Sequence, residues 1–212
     1  MTRIVAGSAK GRSLAVPKSG TRPTSERVRE ALFSRLDHMN VLAGTAVLDL
    51  YAGTGALGLE ALSRGSAHAT LVEKASSAAR VASANVRSTG LPARVITADA
   101  RSFLAARTGE ELRGDIDLVF IDPPYEIAEA DMTAVLSSLG PWIGPDALVV
   151  VERSTRAPAP TWPPFLVLED QRTWGETVAY FAGPPVPKNE PEDGADALAD
   201  APTSLANVEE TR

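Results

Sequence analysis

Apolar blocks alternate with amphipathic stretches through the middle of the chain. Val47, Leu48 and Leu50, preceded by Ala46, form a run too apolar for a surface strand, and it ends on the glycine cluster Gly53-x-Gly55-x-x-Gly58. Such a run suits a central parallel strand covered on both faces. Leu57, Leu59, Ala61 and Leu62 continue as a helix that stops at Gly65. The pattern then repeats: strand Ala69–Glu73, an alanine-rich helix Ser76–Arg87 ended by Gly90-Leu91-Pro92, strand Arg94–Thr97, helix Ser102–Arg107, strand Asp115–Ile121, helix Ile127–Leu139 and strand Ala147–Glu152. Strands alternating with helices at this spacing predict right-handed crossovers and a parallel, doubly wound α/β sheet. Four prolines between Ala157 and Pro164 keep that stretch out of the core. The last strands, Phe165–Leu168 and Thr177–Phe181, are predicted to form a reversed hairpin joined through Arg172-Thr173-Trp174-Gly175-Glu176, which brings Arg172 and Trp174 to the ligand side.

The two ends depart from this pattern. Arg3–Gly7 and Arg12–Val16 read as a small hairpin with basic residues at its turn, and Pro17 to Pro23 as an extended cationic connector. Thr24 or Ser25 then caps a helix with Glu26 in its first turn and an apolar stripe of Val28, Ala31, Leu32 and Leu36. Beyond Phe181 the residues are mainly Pro, Ala, Gly, Asp, Glu and Asn without apolar periodicity, a composition that predicts disorder. The expected organisation is a basic hairpin and helix over 1–40, a Rossmann-like domain over 41–182 and an acidic tail over 183–212.

Charge sharpens this division. The net charge of −6 hides eight Lys and Arg against three acids from Met1 to His38, and two against seven from Gly183 to Arg212. The basic front is an electrostatic footprint for phosphate, with Arg3, Lys10, Arg12, Lys18, Arg22, Arg27 and Arg29 as candidate nucleic-acid contacts and Arg172 as a further one from the late hairpin. The absence of cysteine removes disulfides, zinc ribbons and thiol catalysis, and the two histidines, far apart, suggest no metal site. No apolar run approaches a membrane span and the first residues lack a signal-peptide pattern, so a cytoplasmic protein with no membrane contact is expected.

Candidate chemistry gathers where strands end. The glycines match a dinucleotide fingerprint, and Glu73 closes the second strand at the spacing of a ribose-binding acid. Asp49, just ahead of the glycines, would meet a pyrophosphate with like charge. The ammonium and sulfonium of S-adenosylmethionine are cationic, so Asp49 and Glu73 together favour that cofactor. Asp99 closes the third strand, either accepting from an adenine amino group or capping the next helix. Asp122-Pro123-Pro124-Tyr125 stands at the carboxyl end of the fourth strand, facing the glycine turn. There the Asp122 side chain and a fixed carbonyl of the proline pair suit the hydrogens of a planar exocyclic amine, and Tyr125 offers a stacking face.

With these residues in place the chain resembles the class I S-adenosylmethionine-dependent methyltransferases. More narrowly, Arg22-Pro23-Thr24 followed by Arg27-Val28-Arg29-Glu30-Ala31-Leu32-Phe33 resembles the bacterial small-subunit rRNA guanine-N2 methyltransferase family, RsmD. The resemblance runs from about Arg3 to Phe181 and implies a seven-stranded, mostly parallel sheet with a reversed last strand. It implies methylation of one guanine in 16S rRNA of an assembled or partly assembled 30S subunit, by a protein expected to act as a monomer. Asp122, Pro123, Pro124 and Tyr125 then form the catalytic box. Asp49, Tyr51, Gly53, Thr54, Gly55, Gly58, Glu73, Lys74, Asp99 and Ala100 form the cofactor site. Rival readings are an adenine-N6 or cytosine-N4 DNA methyltransferase, whose amines need the same acceptors, and a noncatalytic assembly factor for the small subunit.

Overall fold

Seven strands in the order β5-β4-β3-β6-β7-β9-β8 build one sheet, described in a computed structural model that covers residues 2–16, 26–106 and 115–185. The five core strands are β3 (Ala46–Leu50), β4 (His68–Glu73), β5 (Ala93–Thr97), β6 (Ile116–Ile121) and β7 (Ile143–Ser154), all parallel. β9 (Thr177–Gly183) runs antiparallel to β7, and β8 (Val167–Trp174) antiparallel to β9, so β9 alone is reversed within the sheet. Every residue of β3 is buried, as expected for a strand covered on both faces.

Helices occupy both faces. α1 (Glu26–His38) and α2 (Ala56–Ser63) share one core with Val47, Leu118, Phe120 and Val150. α4 (Ala100–Ala105) and α5 (Glu129–Ser137) share the opposite core with Leu48, Leu50, Val119 and Ile121. Alternation along β3 and β6 divides their side chains between these cores. α3 (Ser76–Thr89) follows β4 and ends on Gly90 in the left-handed region at φ 69°, a C-cap that a residue without a Cβ adopts at little cost. Among the described residues no helix is long and apolar enough to cross a membrane.

Three expectations are corrected. The first hairpin is much shorter, with β1 (Thr2–Arg3) pairing β2 (Ser13–Leu14) over two register positions. β8 starts later and runs through Arg172 to Trp174, leaving only Gly175-Glu176 as the turn. Its middle is Glu169-Asp170-Gln171-Arg172-Thr173 on an open sheet edge, so no apolar alternation announced it. The α1 stripe is also rotated: Arg29, Leu32, Phe33 and Leu36 are buried, whereas Val28 and Ala31 are half-buried.

The front end is part of the main core, because Ile4, Leu14, Leu32, Phe33 and Leu36 pack with Val47 and Phe120. Glu60, fully buried on α2, fixes it there. Its two oxygens accept from the backbone N–H groups of Val5 at 2.7 Å and Ala6 at 3.0 Å, and pair with Arg29 at 3.7 Å and Arg64 at 2.8 Å. Asn85 makes a second tie, bonding Ala15 N and O and the carbonyl of Thr54 in the glycine turn. The acidic tail from 186 onward, the whole Pro17 to Pro23 connector and the cap candidates Thr24 and Ser25 lie outside the described residues.

Candidate active site

The turn after β3 is held in a conformation that ordinary side chains resist. Tyr51 sits at φ 64°, Gly53 at 55° and Gly55 at 79°. A bulky residue held at positive φ is strained, and such strain concentrates at ligand sites. The three glycines have different reasons. A Cβ at Gly58 would lie 2.3 Å from Leu71 Cδ2, and one at Gly55 2.8 Å from Leu71 Cδ1, so β4 packs directly beneath both. Gly53 borders a large cleft, whereas Gly55 and Gly58 do not. Packing against Leu71 under the turn accounts for the second and third glycines, and the open cleft for the first.

That cleft, of about 1240 Å³, lies beyond the carboxyl ends of β3, β4, β5 and β6. Asp49, Tyr51, Gly53, Thr54, Glu73, Lys74, Asp99 and Ala100 line it, together with all of Asp122, Pro123, Pro124 and Tyr125. Open α/β sheets bind ligands at this edge. Glu73 accepts from Gly53 N at 2.8 Å and Ala75 N at 2.7 Å, which locks the turn against β4. Asp99 caps α4 through Arg101 N and Ser102 N and pairs with Lys74 at 3.1 Å. The Lys74 hydrogen bond is the main reason that its carboxyl is held below the ordinary range. The capping role of Asp99 is thus present, and it leaves the residue on the cleft wall.

Asp49 is the electrostatic centre. Its buried side chain accepts from Gly58 N at 3.0 Å, and burial pushes its pKa up to about 7, with the negative charges of Asp122 and Glu73 adding to the effect. A buried carboxyl whose ionisation is made costly by two further carboxylates marks a site suited to positive charge.

A second, smaller cavity of about 240 Å³ shares the Asp122–Tyr125 wall from the other side and reaches Val28, Glu152, Arg153, Ser154 and the Trp174–Thr177 turn. Trp174 therefore borders the cavity beside Asp122–Tyr125. Arg172 borders neither cavity, and pairs with Asp170 at 3.1 Å, which also holds Arg35 at 3.0 Å. Tyr125 is 70% exposed, its ring uncovered between the two cavities.

Of the basic front, Lys10 and Arg27 are exposed, as are Arg3, which pairs with Glu26 at 3.4 Å, and Arg12, which donates to Ser88 O at 2.7 Å. Lys18 and Arg22 fall outside the described residues. Arg29 is a correction. It is 1% exposed, donates to the Arg3 carbonyl and faces Glu60, so it braces the hairpin instead of offering a surface to phosphate. Burial pushes its guanidinium below the ordinary value, against the opposing pull of Glu60, Glu26 and Glu152. Sequence reading also passed over Glu60, Asn85 and the Glu152-Arg153 pair. A lone acid inside Ala56-Leu57-Gly58-Leu59-Glu60-Ala61-Leu62, and two charges directly after Val149-Val150-Val151, were the available signals.

The strand order, the single reversed strand and a cleft under a strained glycine turn define a class I methyltransferase. The family described as "Conserved hypothetical protein 95" matches residues 2–183. Ribosomal RNA small subunit methyltransferase D of Escherichia coli is 38% identical over 180 residues, covering 84% of this chain and 87% of that protein. The protein of the same name from Haemophilus influenzae is 34% identical over 175 residues, covering 81% and 88%. The solved structure of Escherichia coli yhhF matches with a TM-score of 0.73 at 34% identity, over 86% of this chain and 97% of that one. The chain belongs to this RsmD family and is a methyltransferase.

Proposed function

We propose that the protein transfers the methyl group of S-adenosylmethionine to the N2 amine of one guanine in 16S rRNA, presented on an assembled or partly assembled 30S subunit. The observation that carries this reading is the wall Asp122–Tyr125 shared by two cavities, one large and acidic, the other the size of a single base. The large cleft fits the cofactor by charge. Asp49, Glu73 and Asp122 crowd one region, where a cationic ammonium and sulfonium relieve a repulsion that would repel a pyrophosphate. Bound there, S-adenosylmethionine supplies an electrophilic methyl group. Asp49 and Glu73 hold the donor's polar end and ribose, and Asp99 and Ala100 border its base. Asp122, with a carbonyl of the proline pair beside it, accepts a hydrogen of the target amine and turns the nitrogen lone pair toward the donor's methyl group. Asp122 also holds the surplus positive charge and proton as the nitrogen becomes tetravalent. Positioning supplies most of the acceleration.

The test is mass spectrometry of nucleosides from 30S subunits and from duplex DNA, each incubated with the protein and labelled cofactor. N2-methylguanosine from the subunit alone is expected. Label in DNA on adenine-N6 or cytosine-N4 overturns the assignment in favour of a DNA enzyme, and tight subunit binding with no label anywhere favours an assembly factor.

Two further outcomes follow from the site. Tyr125→Ala removes a stacking face worth about 1–3 kcal/mol, so KM for the RNA rises roughly tenfold to a hundredfold while cofactor affinity holds. An unchanged KM removes Tyr125 from the base site. Cofactor binding is also pH-dependent. A cation binds the ionised form of Asp49, and with a free-site pKa of about 7 that form is lost as pH falls. Affinity for S-adenosylmethionine therefore weakens by up to about tenfold per unit below pH 7 and levels off just above it. Calorimetry between pH 5.5 and 7.5 should show this slope in wild type and a flat line in Asp49→Asn.

A further inference from the structure

We infer that the smaller cavity is a nucleobase subsite and that Glu152 within it reads the Watson–Crick edge of guanine. This rests on the guanine-N2 reading above, and names the group that selects the base.

The position follows from sheet register. Ile121 of β6 pairs with Val151 of β7, so the next residues, Asp122 and Glu152, emerge side by side at the ligand edge of the sheet. Glu152 is 4% exposed and yet lines the cavity, as do Asp122 and the aromatic rings of Tyr125 and Trp174. A volume of about 240 Å³ lies below the range of drug-sized sites and suits one flat ring system between two aromatic side chains. The charge has a cationic neighbour. Arg29 is close enough for its charge and that of Glu152 to interact, and the neighbouring Arg153 is tied to Glu129.

The chemistry of the edge selects guanine. A carboxylate presents two acceptors and no donor. Guanine alone among the four RNA bases places a ring N1–H beside an exocyclic amine, so it offers two adjacent donors. Adenine and cytosine place an acceptor next to the amine, and uracil has a single N–H between two acceptors. With one amine hydrogen and N1–H on Glu152, the other amine hydrogen falls to Asp122, and the nitrogen is gripped from both sides while its faces stay open. A base that brings an acceptor to Glu152 leaves two acceptors opposed in a buried place, a mismatch of the kind that gives large discrimination.

The test exchanges the pattern on both partners. 2-Aminopurine keeps the amine but has an acceptor at N1, and Glu152→Gln keeps one acceptor and gains a donor. The substrates are 30S subunits rebuilt on ligated 16S rRNA that carries either guanosine or 2-aminopurine riboside at the nucleotide the wild-type protein methylates. Wild type is expected to prefer guanosine at least about a hundredfold in kcat/KM, and E152Q to lose about a hundredfold or more on guanosine while accepting 2-aminopurine better than guanosine. Melting temperature and S-adenosylmethionine affinity are read alongside. A guanosine preference unchanged in E152Q, or an equal loss on both substrates, overturns the assignment. Should E152Q unfold, Glu152→Asp decides, because it keeps two acceptors: a slower enzyme that still prefers guanosine supports the reading, and one that takes both bases alike overturns it. Wild type that puts no methyl on guanine N2 at all overturns the underlying function instead, so the two failures are separate.

Discussion

Asp122→Ala is expected to slow methyl transfer about a thousandfold or more while S-adenosylmethionine titrates into the cleft with an affinity within a few-fold of wild type. The separation follows from where the residue stands. Asp122 lies on the wall between the two cavities and belongs to both, but the cleft retains Asp49, Glu73, Asp99 and the glycine turn without it. On the proposed mechanism, what disappears is an acceptor for the reacting amine, and removing one such preorganised group costs about 10²–10³ in rate, with the loss of its proton-holding role adding to that. A finer signature accompanies the loss. Asp122 helps to raise the Asp49 pKa, so its removal shifts the pH slope of cofactor binding toward lower pH. Single-turnover rates on 30S subunits together with calorimetry check both parts, and full activity in this variant ends the proposed mechanism. Loss of cofactor binding in parallel with rate would move Asp122 from the target amine to the donor.

What the sequence disclosed of this site depended on how local each feature is. The glycine turn, Glu73, Asp99 and Asp122-Pro123-Pro124-Tyr125 each sit within a residue or two of a strand end, where apolar periodicity stops abruptly. In a doubly wound sheet those ends face one cleft, so naming the strands placed the residues. The parallel character of the sheet was legible for the same reason, since β3, β4, β6 and β7 are buried on both faces and show as apolar runs. Where one side of an element meets water or another polar group, the signal failed. β8 was cut short because its centre is polar on an open edge. Arg29 reads as one more cation in a basic segment, and its sequence neighbours give no hint that Glu60, thirty-one positions later, takes it out of solvent. The glycines were legible as a turn, but whether a ligand or a leucine lies beneath each one depends on β4, which only the folded chain brings there.

The buried Glu60 centre leads to the largest expected loss of stability. Glu60→Ala leaves the buried guanidinium of Arg29 without its nearby carboxylate, strips Arg64 of one of its two partners and orphans the N–H groups of Val5 and Ala6. Breaking a buried ion pair by removing one partner costs about 3–5 kcal/mol, because the other charge stays buried. For a domain of this size that corresponds to a fall in Tm of about 10 °C or more. Glu60→Gln keeps one acceptor for the hairpin but not the charge and should fall between. The damage is not confined to folding, since the hairpin secured by Glu60 carries Arg3, Lys10 and Arg12 on its exposed side. Below its melting point the Gln variant should bind 30S subunits more weakly, with a shallower dependence on salt as fewer cations are held in register, while its cofactor affinity stays near wild type. A Gln variant with wild-type Tm would show that Arg29 is neutralised by other acids. One with lowered Tm but unchanged subunit binding would show that the front end takes no part in holding RNA.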